Sequence, residues 1–241
     1  MLPADLDILH IAAIGLLAVA WAGYTPLLAA FAQGTLNVQL GVVRTRWISI
    51  SVGRDNRTFD AVMLGHIIHS VAFFGSATLI VLAALVGTLA SVTSVHGIVV
   101  ELPMIDAMSL ELFALKLAVI FFLLLVSFFS FTYALRKLIY TVALAGGLPE
   151  AEIQEVPKSG ARHDMVEATG VVLTEAVKSF NSGIRGYYFA VAALFLFIGP
   201  IPCMVVTALV MALLVHRQIG TRTARAIGRY VKAMDRLDEE V

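Results

Sequence analysis

Four long apolar stretches constrain the fold of this chain more than any other feature of its sequence. They cover approximately residues 8–32, 61–90, 110–135 and 187–215. Each is long enough to cross a bilayer as a helix, which needs roughly 20 apolar residues. Lipid offers the backbone no hydrogen-bond partner, so runs of Leu, Ile, Val, Phe and Ala of this length favour helices over irregular chain. The sequence therefore predicts an all-α fold, a polytopic helical membrane domain over residues 1–241.

The composition excludes several other classes of protein. Of the 241 residues, 59% are apolar and 14% are charged, whereas soluble domains have about 45–50% apolar and about 25% charged residues. The single cysteine, Cys203, allows no intrachain disulfide and no cysteine-based metal motif. The basic residues flank the apolar stretches rather than covering one soluble face, so no nucleic-acid partner is expected.

The first apolar stretch has one feature of a signal peptide, because Ala30-Phe31-Ala32 imitates a small-residue cleavage site. Its head, MLPADLD, carries two acidic residues and no Lys or Arg. Signal peptides have a basic head and a shorter apolar core. We therefore expect this stretch to remain in the protein as a membrane helix.

The distribution of charge predicts an orientation in the cell membrane. The residues before position 8 and the loop 91–109 contain acidic residues but no Lys or Arg. The basic residues are concentrated in 33–60, in 136–185 and after 215, except for Lys116, which we expect to extend toward the membrane surface. By the positive-inside rule, the N-terminus is outside, and the Arg-rich loops and the C-terminal tail are cytoplasmic.

The fourth apolar stretch has to reconcile that orientation with the number of crossings. Four single crossings from an outside N-terminus would leave the basic tail outside. The middle of the stretch reads Gly199-Pro200-Ile201-Pro202, and two prolines so close together interrupt a helix. The pattern leaves two alternatives, a single kinked crossing or a re-entrant hairpin that returns to the cytoplasm, and the charges favour the hairpin.

Two cytoplasmic segments, 164–182 and 221–239, have apolar residues at helical spacing with charged residues between them. Basic amphipathic helices beside a membrane usually lie on anionic lipid headgroups. We therefore expect membrane lipid, through its anionic headgroups, to be a partner. The connector 146–162, with two prolines and several glycines, is predicted to be a loop.

Polar motifs at the cytoplasmic ends of three segments form the candidate site. Arg57 and Asp60 are three residues apart, so they can pair on one helical face, and Arg136 could either reach the headgroups or meet Asp60. An excess of arginine over acidic residues favours an anionic guest, such as a lipid headgroup or a carboxylate. The predicted ligand-binding residues are Arg54, Asn56, Arg57, Asp60, Ser70, Arg136, Asn181, Arg185, Tyr187 and Tyr188.

His66 and His69 are the other candidates, because ionisable residues within a membrane segment are costly and often functional. Their spacing places them on one helical face, where they could bind a metal or haem. No Asp or Glu stands beside them in sequence, so hydrogen bonding between helices is the favoured interpretation. We expect no metal and no cofactor, with these two histidines as the only candidates if one is present.

Three segments resemble the family called domain of unknown function 599: RDNRTFDAVMLGHIIHSVAFFGSATLIV, FFSFTYALRK and FNSGIRGYYFA. The resemblance extends from about residue 44 to 217 and implies a multipass helical membrane protein with no assigned activity. Ala134 stands where the family usually has a serine, and His66 and His69 are not part of the family pattern. The residues that match the family's pattern are Arg54, Arg57, Asp60, Ser70, Phe73, Phe74, Arg136, Asn181, Arg185, Tyr187 and Tyr188.

The sequence leaves three functional hypotheses. The first is a transport or channel-like protein with an Arg-lined cytoplasmic pocket for an anionic group. The second is a non-catalytic accessory or scaffold subunit that binds lipid, forms a homo-oligomer or joins a larger membrane complex. The third is a haem or metal protein that uses His66 and His69. No catalytic triad, P-loop, zinc motif or paired-carboxylate site is recognisable, so an enzyme is not expected.

Overall fold

The computed structural model describes residues 3–30, 34–149 and 160–240, apart from the side chain of residue 238. Within those ranges the chain is helical and contains no strand, which confirms the predicted all-α class. The helices are α1 (Ile8–Ala30), α2 (Leu36–Val52), α3 (Thr58–Ala90), α4 (Val92–Val99), α5 (Leu110–Gly146), α6 (Ala161–Leu194), α7 (Pro200–Ile219) and α8 (Arg222–Glu239).

Four helical stretches are long and apolar enough to cross a membrane, so the chain is a membrane protein with transmembrane helices. Three of them coincide with α1, α3 and α5, and the fourth takes in α7 and most of α8. Their bounds are Ile8–Ala30, Thr58–Ala90, Leu110–Gly146 and Pro200–Leu237.

Several helix boundaries differ from the prediction. Helix α5 continues well past residue 135, because its later turns still bury side chains such as Leu138 and Thr141. The segment 164–182 and the first part of the fourth apolar stretch form one continuous helix, α6. Helices α2 and α4 were not predicted. The predicted end of the first stretch at residue 32, and most of the predicted loop 146–162, lie outside the described residues.

The chain divides into two compact units, and α3, α5 and α6 contribute residues to both. Unit 1 comprises Met1–Ala29, Gly75–Phe129 and Ser182–Val215. Unit 2 comprises Ala30–Phe74, Ser130–Asn181 and His216–Val241.

The core of unit 1 combines large apolar side chains with alanines. Leu17, Phe189 and Leu196 are almost completely buried, as are Ala13 and Ala193. The alanines let helices approach closely. Close packing is the usual basis of helix association in lipid, because burying apolar surface there contributes little to the free energy of association. The unit is therefore held together by close packing of helix faces.

The chain reverses direction at Gly199, as in the hairpin alternative. Arg185 and Leu214 are 29 residues apart, a separation of about 44 Å in a straight helix. Both nevertheless contact Tyr24: the Arg185 guanidinium lies 4.9 Å from the centre of the tyrosine ring, and the tyrosine hydroxyl donates to the Leu214 carbonyl at 3.4 Å. Gly199 makes the turn with a φ of 154°, a conformation that L side chains rarely adopt.

The turn is packed against the start of α5. A Cβ atom at Gly199 would lie 2.9 Å from Oδ2 of Asp106, and the ring of Phe197 lies 5.4 Å from that of Phe113. Asp5 holds the same end of α5, because its carboxylate accepts from the Ser109 amide at 2.7 Å and from the Ser109 hydroxyl at 2.6 Å. These hydrogen bonds lower the pKa of Asp5.

Unit 2 contains a close contact between α2 and α6. A Cβ atom at Gly170 would lie 2.9 Å from the Cα of Thr45, and a Cβ atom at Gly41 would lie 3.5 Å from the methyl group of Thr174. The absence of a side chain at Gly170 thus allows the two backbones to approach.

Unit 2 also contains a cluster of three aromatic rings. The centroids of the Phe74, Phe131 and Phe180 rings lie 5.6–5.9 Å from one another.

Lys116 does not extend to the membrane surface as expected. It is 1% exposed within unit 1, and its Nζ has no hydrogen-bond partner among the described residues. The carboxylates of Asp5, Asp7 and Asp106 act on it only through longer-range attraction. The side chain lies inward because α5 places it on the same face as buried Leu112 and Phe113.

Replacing Lys116 by methionine should therefore stabilise the protein. A buried amine without a partner costs free energy, and methionine fills a similar volume without that cost. We expect Lys116→Met to raise the free energy of unfolding by about 1–2 kcal/mol, measured as a higher melting temperature in mild detergent. Lys137→Met should lower it, because that amine donates to Ser179 Oγ at 2.9 Å. A lower melting temperature for Lys116→Met would show that the buried amine is a stabilising group.

Candidate functional site

Asp60 is the centre of the polar cluster at the start of α3. Its Oδ1 accepts from Trp47 Nε1 at 2.6 Å and from Arg54 Nη1 at 2.5 Å. The residue is only 7% exposed, and Oδ2 has no partner among the described residues. Since a carboxylate in the first turn also complements the helix dipole, Asp60 ties α2 and the following turn to the start of α3.

Arg57 does not pair with Asp60, which corrects the expectation from their spacing. Its Nη1 donates to the Leu148 carbonyl at 3.3 Å and its Nη2 to the Val52 carbonyl at 3.4 Å. These carbonyls lie at the end of α2 and beyond the end of α5, where backbone oxygens lack helical partners. Asn56 has a local role, because its side-chain oxygen accepts from the Thr58 amide at 2.8 Å.

Arg136 does not meet Asp60 either. Its side chain is exposed and forms no ion pair or hydrogen bond with another residue of the described ranges. The neighbouring Lys137 points inward instead, where its amine donates to Ser179 Oγ at 2.9 Å and lies 3.9 Å from a Glu175 carboxylate oxygen. Of the two alternatives for Arg136, pairing with Asp60 is thus wrong, and the inward-pointing cation on this part of α5 is Lys137.

A cavity of about 360 Å³ lies among α2, α3, α5 and α6 of unit 2. Two predicted ligand-binding residues, Ser70 and Asn181, line it, and among the described residues Arg44 is the only charged one in its wall. Asn181 is positioned by a hydrogen bond from its amide to the Asn37 side-chain oxygen at 3.3 Å. The apolar part of the wall comprises Ile67, Val71, Leu138, Ala176, Val177 and Phe180.

Arg44 gives this cavity its chemical character. It forms no ion pair or hydrogen bond with another side chain in the described part of the chain. Burial lowers its pKa, but an arginine starts so far above neutrality that it remains charged. A half-buried guanidinium facing an apolar wall is suited to a carboxylate or phosphate that carries an apolar group.

The remaining predicted residues, Arg185, Tyr187 and Tyr188, belong to unit 1. Arg185 lies against the Tyr24 ring and donates to Ser182 Oγ at 3.2 Å. Tyr187 hydrogen-bonds with the buried Thr78, and Tyr188 packs against the apolar core. These contacts fix the part of α6 from residue 182 onward in the packing of unit 1.

His66 and His69 are both exposed on α3. The favoured interpretation, hydrogen bonding of their rings to another helix, is wrong, because neither ring has a hydrogen-bond partner within the described ranges. No group of three or more histidine, cysteine or acidic side chains among the described residues is arranged to hold a metal.

Sequence reasoning did not single out Arg44 or Trp47. In the sequence, Arg44 is one of the basic residues that set the predicted orientation, and no predicted motif contains Trp47. Both lie on α2, a helix that was not predicted, and their partners are distant in sequence. A helical projection of 36–52 would have placed Gly41, Arg44 and Thr45 on one face.

The Asp60 cluster can be tested against the pairing expected from the sequence. Asp60→Asn should lower the free energy of unfolding by about 1–3 kcal/mol, because it weakens two hydrogen bonds to a buried carboxylate. Arg136→Gln should change it by less than about 0.5 kcal/mol, as is usual for exposed positions. Thermal unfolding in detergent would measure both. Equal losses for the two variants would mean that Arg136 does interact with Asp60.

Comparison with known proteins identifies the family but no characterised relative. No curated protein and no solved structure matches this chain. A family model described as "Protein of unknown function, DUF599" matches residues 12–223, a range that contains every predicted ligand-binding residue and all the described residues that line the Arg44 cavity. The match agrees with the resemblance of the three polar motifs, and the chain belongs to the DUF599 family.

Proposed function

We propose that this membrane protein binds and transports an amphiphilic anion, and that the anionic group is held by Arg44. The proposal rests on the Arg44 guanidinium, which lies in the wall of an otherwise largely apolar cavity and has no ion pair or hydrogen bond with another side chain among the described residues. At about 360 Å³, the cavity has a volume within the usual range for small-molecule sites. Asn181 supplies an amide N–H that orients the anionic end of the ligand, whereas the Ser70 hydroxyl donates to the His66 carbonyl at 2.9 Å and adds only polar surface to the wall.

The proposal favours a ligand with one anionic group. Among the described residues, the wall contains one arginine and no lysine, so a single carboxylate or phosphodiester neutralises it. The apolar side chains from α3, α5 and α6 then cover the hydrocarbon part of the ligand, which favours binding by removing apolar surface from water.

The proposed orientation places the N-terminus outside the cell membrane and the C-terminal tail in the cytoplasm. Helices α1, α3 and α5 each cross once, and the chain from residue 187 to 215 enters and leaves from the cytoplasmic side. The reversal at Gly199 supports this arrangement, and it agrees with the positive-inside rule, since the basic residues before and after the hairpin then share one side.

Single-cysteine labelling tests the orientation. In a Cys203→Ala background, Ala4→Cys should react with a membrane-impermeant maleimide on intact cells. Glu240→Cys should react only after the cells are permeabilised. If Glu240→Cys is labelled on intact cells, the fourth stretch crosses the membrane once and the proposed orientation is wrong.

Uptake of an amphiphilic anion tests the function. We expect purified protein in liposomes to accelerate uptake of radiolabelled octanoate, and Arg44→Gln to reduce that uptake about tenfold or more, because it removes a charge-assisted hydrogen bond. Val177→Phe, which narrows the cavity and leaves Arg44 unchanged, should reduce uptake too.

The matched control is Arg236→Gln, which removes the same charge from an exposed position on α8 and should leave uptake unchanged. Melting temperatures of all variants identify any that fail to fold. Full uptake by a correctly folded Arg44→Gln protein would contradict the proposal, as would wild-type protein that binds octanoate without moving it.

A further inference from the structure

A second cavity lies in unit 2 between α2 and α8. Its volume is about 610 Å³, and none of the described residues that line it is acidic. Gly228 forms part of its wall together with Gln39, whose amide nitrogen would lie 3.2 Å from a Cβ atom at Gly228. This cavity shares no lining residue with the Arg44 cavity, so the inference stands independently of the proposed function.

Four cations line the cavity from one face of α8. These cations are spaced at intervals of three, four and three residues, which places them in one row along the helix. They are Arg222, Arg225, Arg229 and Lys232. All four are exposed, and their side chains form no ion pair or hydrogen bond with another described residue. Four like charges in one row repel each other, and a bound polyanion would remove that repulsion.

The spacing of the cations indicates the shape of the anion. Arg222 and Arg225 form one pair on adjacent turns, and Arg229 and Lys232 form the next. The two pairs are seven residues apart, which corresponds to about 10 Å along the helix axis. Guanidinium groups match the oxygens of phosphate with paired hydrogen bonds, so each pair is suited to one phosphate group.

We propose that the cavity between α2 and α8 binds a ligand that carries two phosphate groups. The first phosphate lies between Arg222 and Arg225, and the second between Arg229 and Lys232. Two sources supply this chemistry, a lipid with two phosphates in its headgroup and a soluble bisphosphate. Basic pockets beside transmembrane helices are known to take such lipid headgroups.

Binding measurements on the intact, purified protein distinguish the two sources. The lipid arm uses native mass spectrometry in a neutral detergent with cardiolipin, with the single-phosphate lipid phosphatidylglycerol as the comparison. The soluble arm uses isothermal titration with fructose 1,6-bisphosphate. We expect saturable binding of one molecule in one of the two arms, and weaker binding of phosphatidylglycerol if the lipid is the source.

A pair of double variants separates the cavity from general surface charge. Arg225→Gln with Arg229→Gln removes one cation from each proposed phosphate position and should weaken binding about tenfold or more. Arg162→Gln with Arg236→Gln removes the same charge from positions outside the cavity and should leave binding unchanged. All four residues are on or near the surface, and melting temperatures check that both variants are folded.

Three results would overturn the proposal. The first is that neither cardiolipin nor fructose 1,6-bisphosphate binds to the wild-type protein. The second is that both double variants lose affinity equally, which would show attraction to net charge only. The third is that phosphatidylglycerol binds as tightly as cardiolipin, which would exclude recognition of two phosphates.

Discussion

The contact of Tyr24 with both arms of the last apolar stretch is the interaction on which unit 1 depends most. A ring on α1 holds Arg185 on α6 and the Leu214 carbonyl on α7 at the same place, which is possible only because the chain turns back at Gly199. The turn itself is fixed at its other end by close packing against Asp106 and Phe113. The two ends together determine the length of the hairpin, and thus which faces of α6 and α7 enter the apolar core.

The two units differ in the partners of their basic side chains. In unit 2, arginines and a lysine are matched to carboxylates or backbone carbonyls, as in the Arg54–Asp60 pair and the Arg57–Leu148 hydrogen bond. The exceptions among the described residues include Arg136, which is exposed, and Arg44 and the row on α8, which face cavities. In unit 1 a single buried lysine, Lys116, has no direct partner among the described residues. Because an unpaired charge in a partly buried position opposes folding, the cations that face cavities are the ones for which we propose a bound anion.

The membrane-crossing segments could be predicted from sequence because their signal is local. Runs of apolar residues identify α1, α3 and α5 without any knowledge of their neighbours, and the polar motifs identified Asp60 and Asn181. What could not be predicted depends on contacts between residues far apart in the chain. The reversal of the chain at Gly199 is seen in the contacts of Tyr24 with two distant residues, and the partner of Arg57 is a carbonyl 91 residues away. Arg44 became visible as a site residue only when three other helices were placed around it.

The close approach of α2 and α6 at Gly170 has a consequence for selectivity. Arg44 is one residue before Thr45, the residue on which Gly170 rests, so the distance between these two helices sets how far the guanidinium stands from the apolar wall formed by α6. Under the proposed function, that distance sets the length of hydrocarbon that fits between the anionic group and the end of the cavity. A larger side chain at position 170 would push the two helices apart and change that length, although every residue that lines the cavity stayed the same.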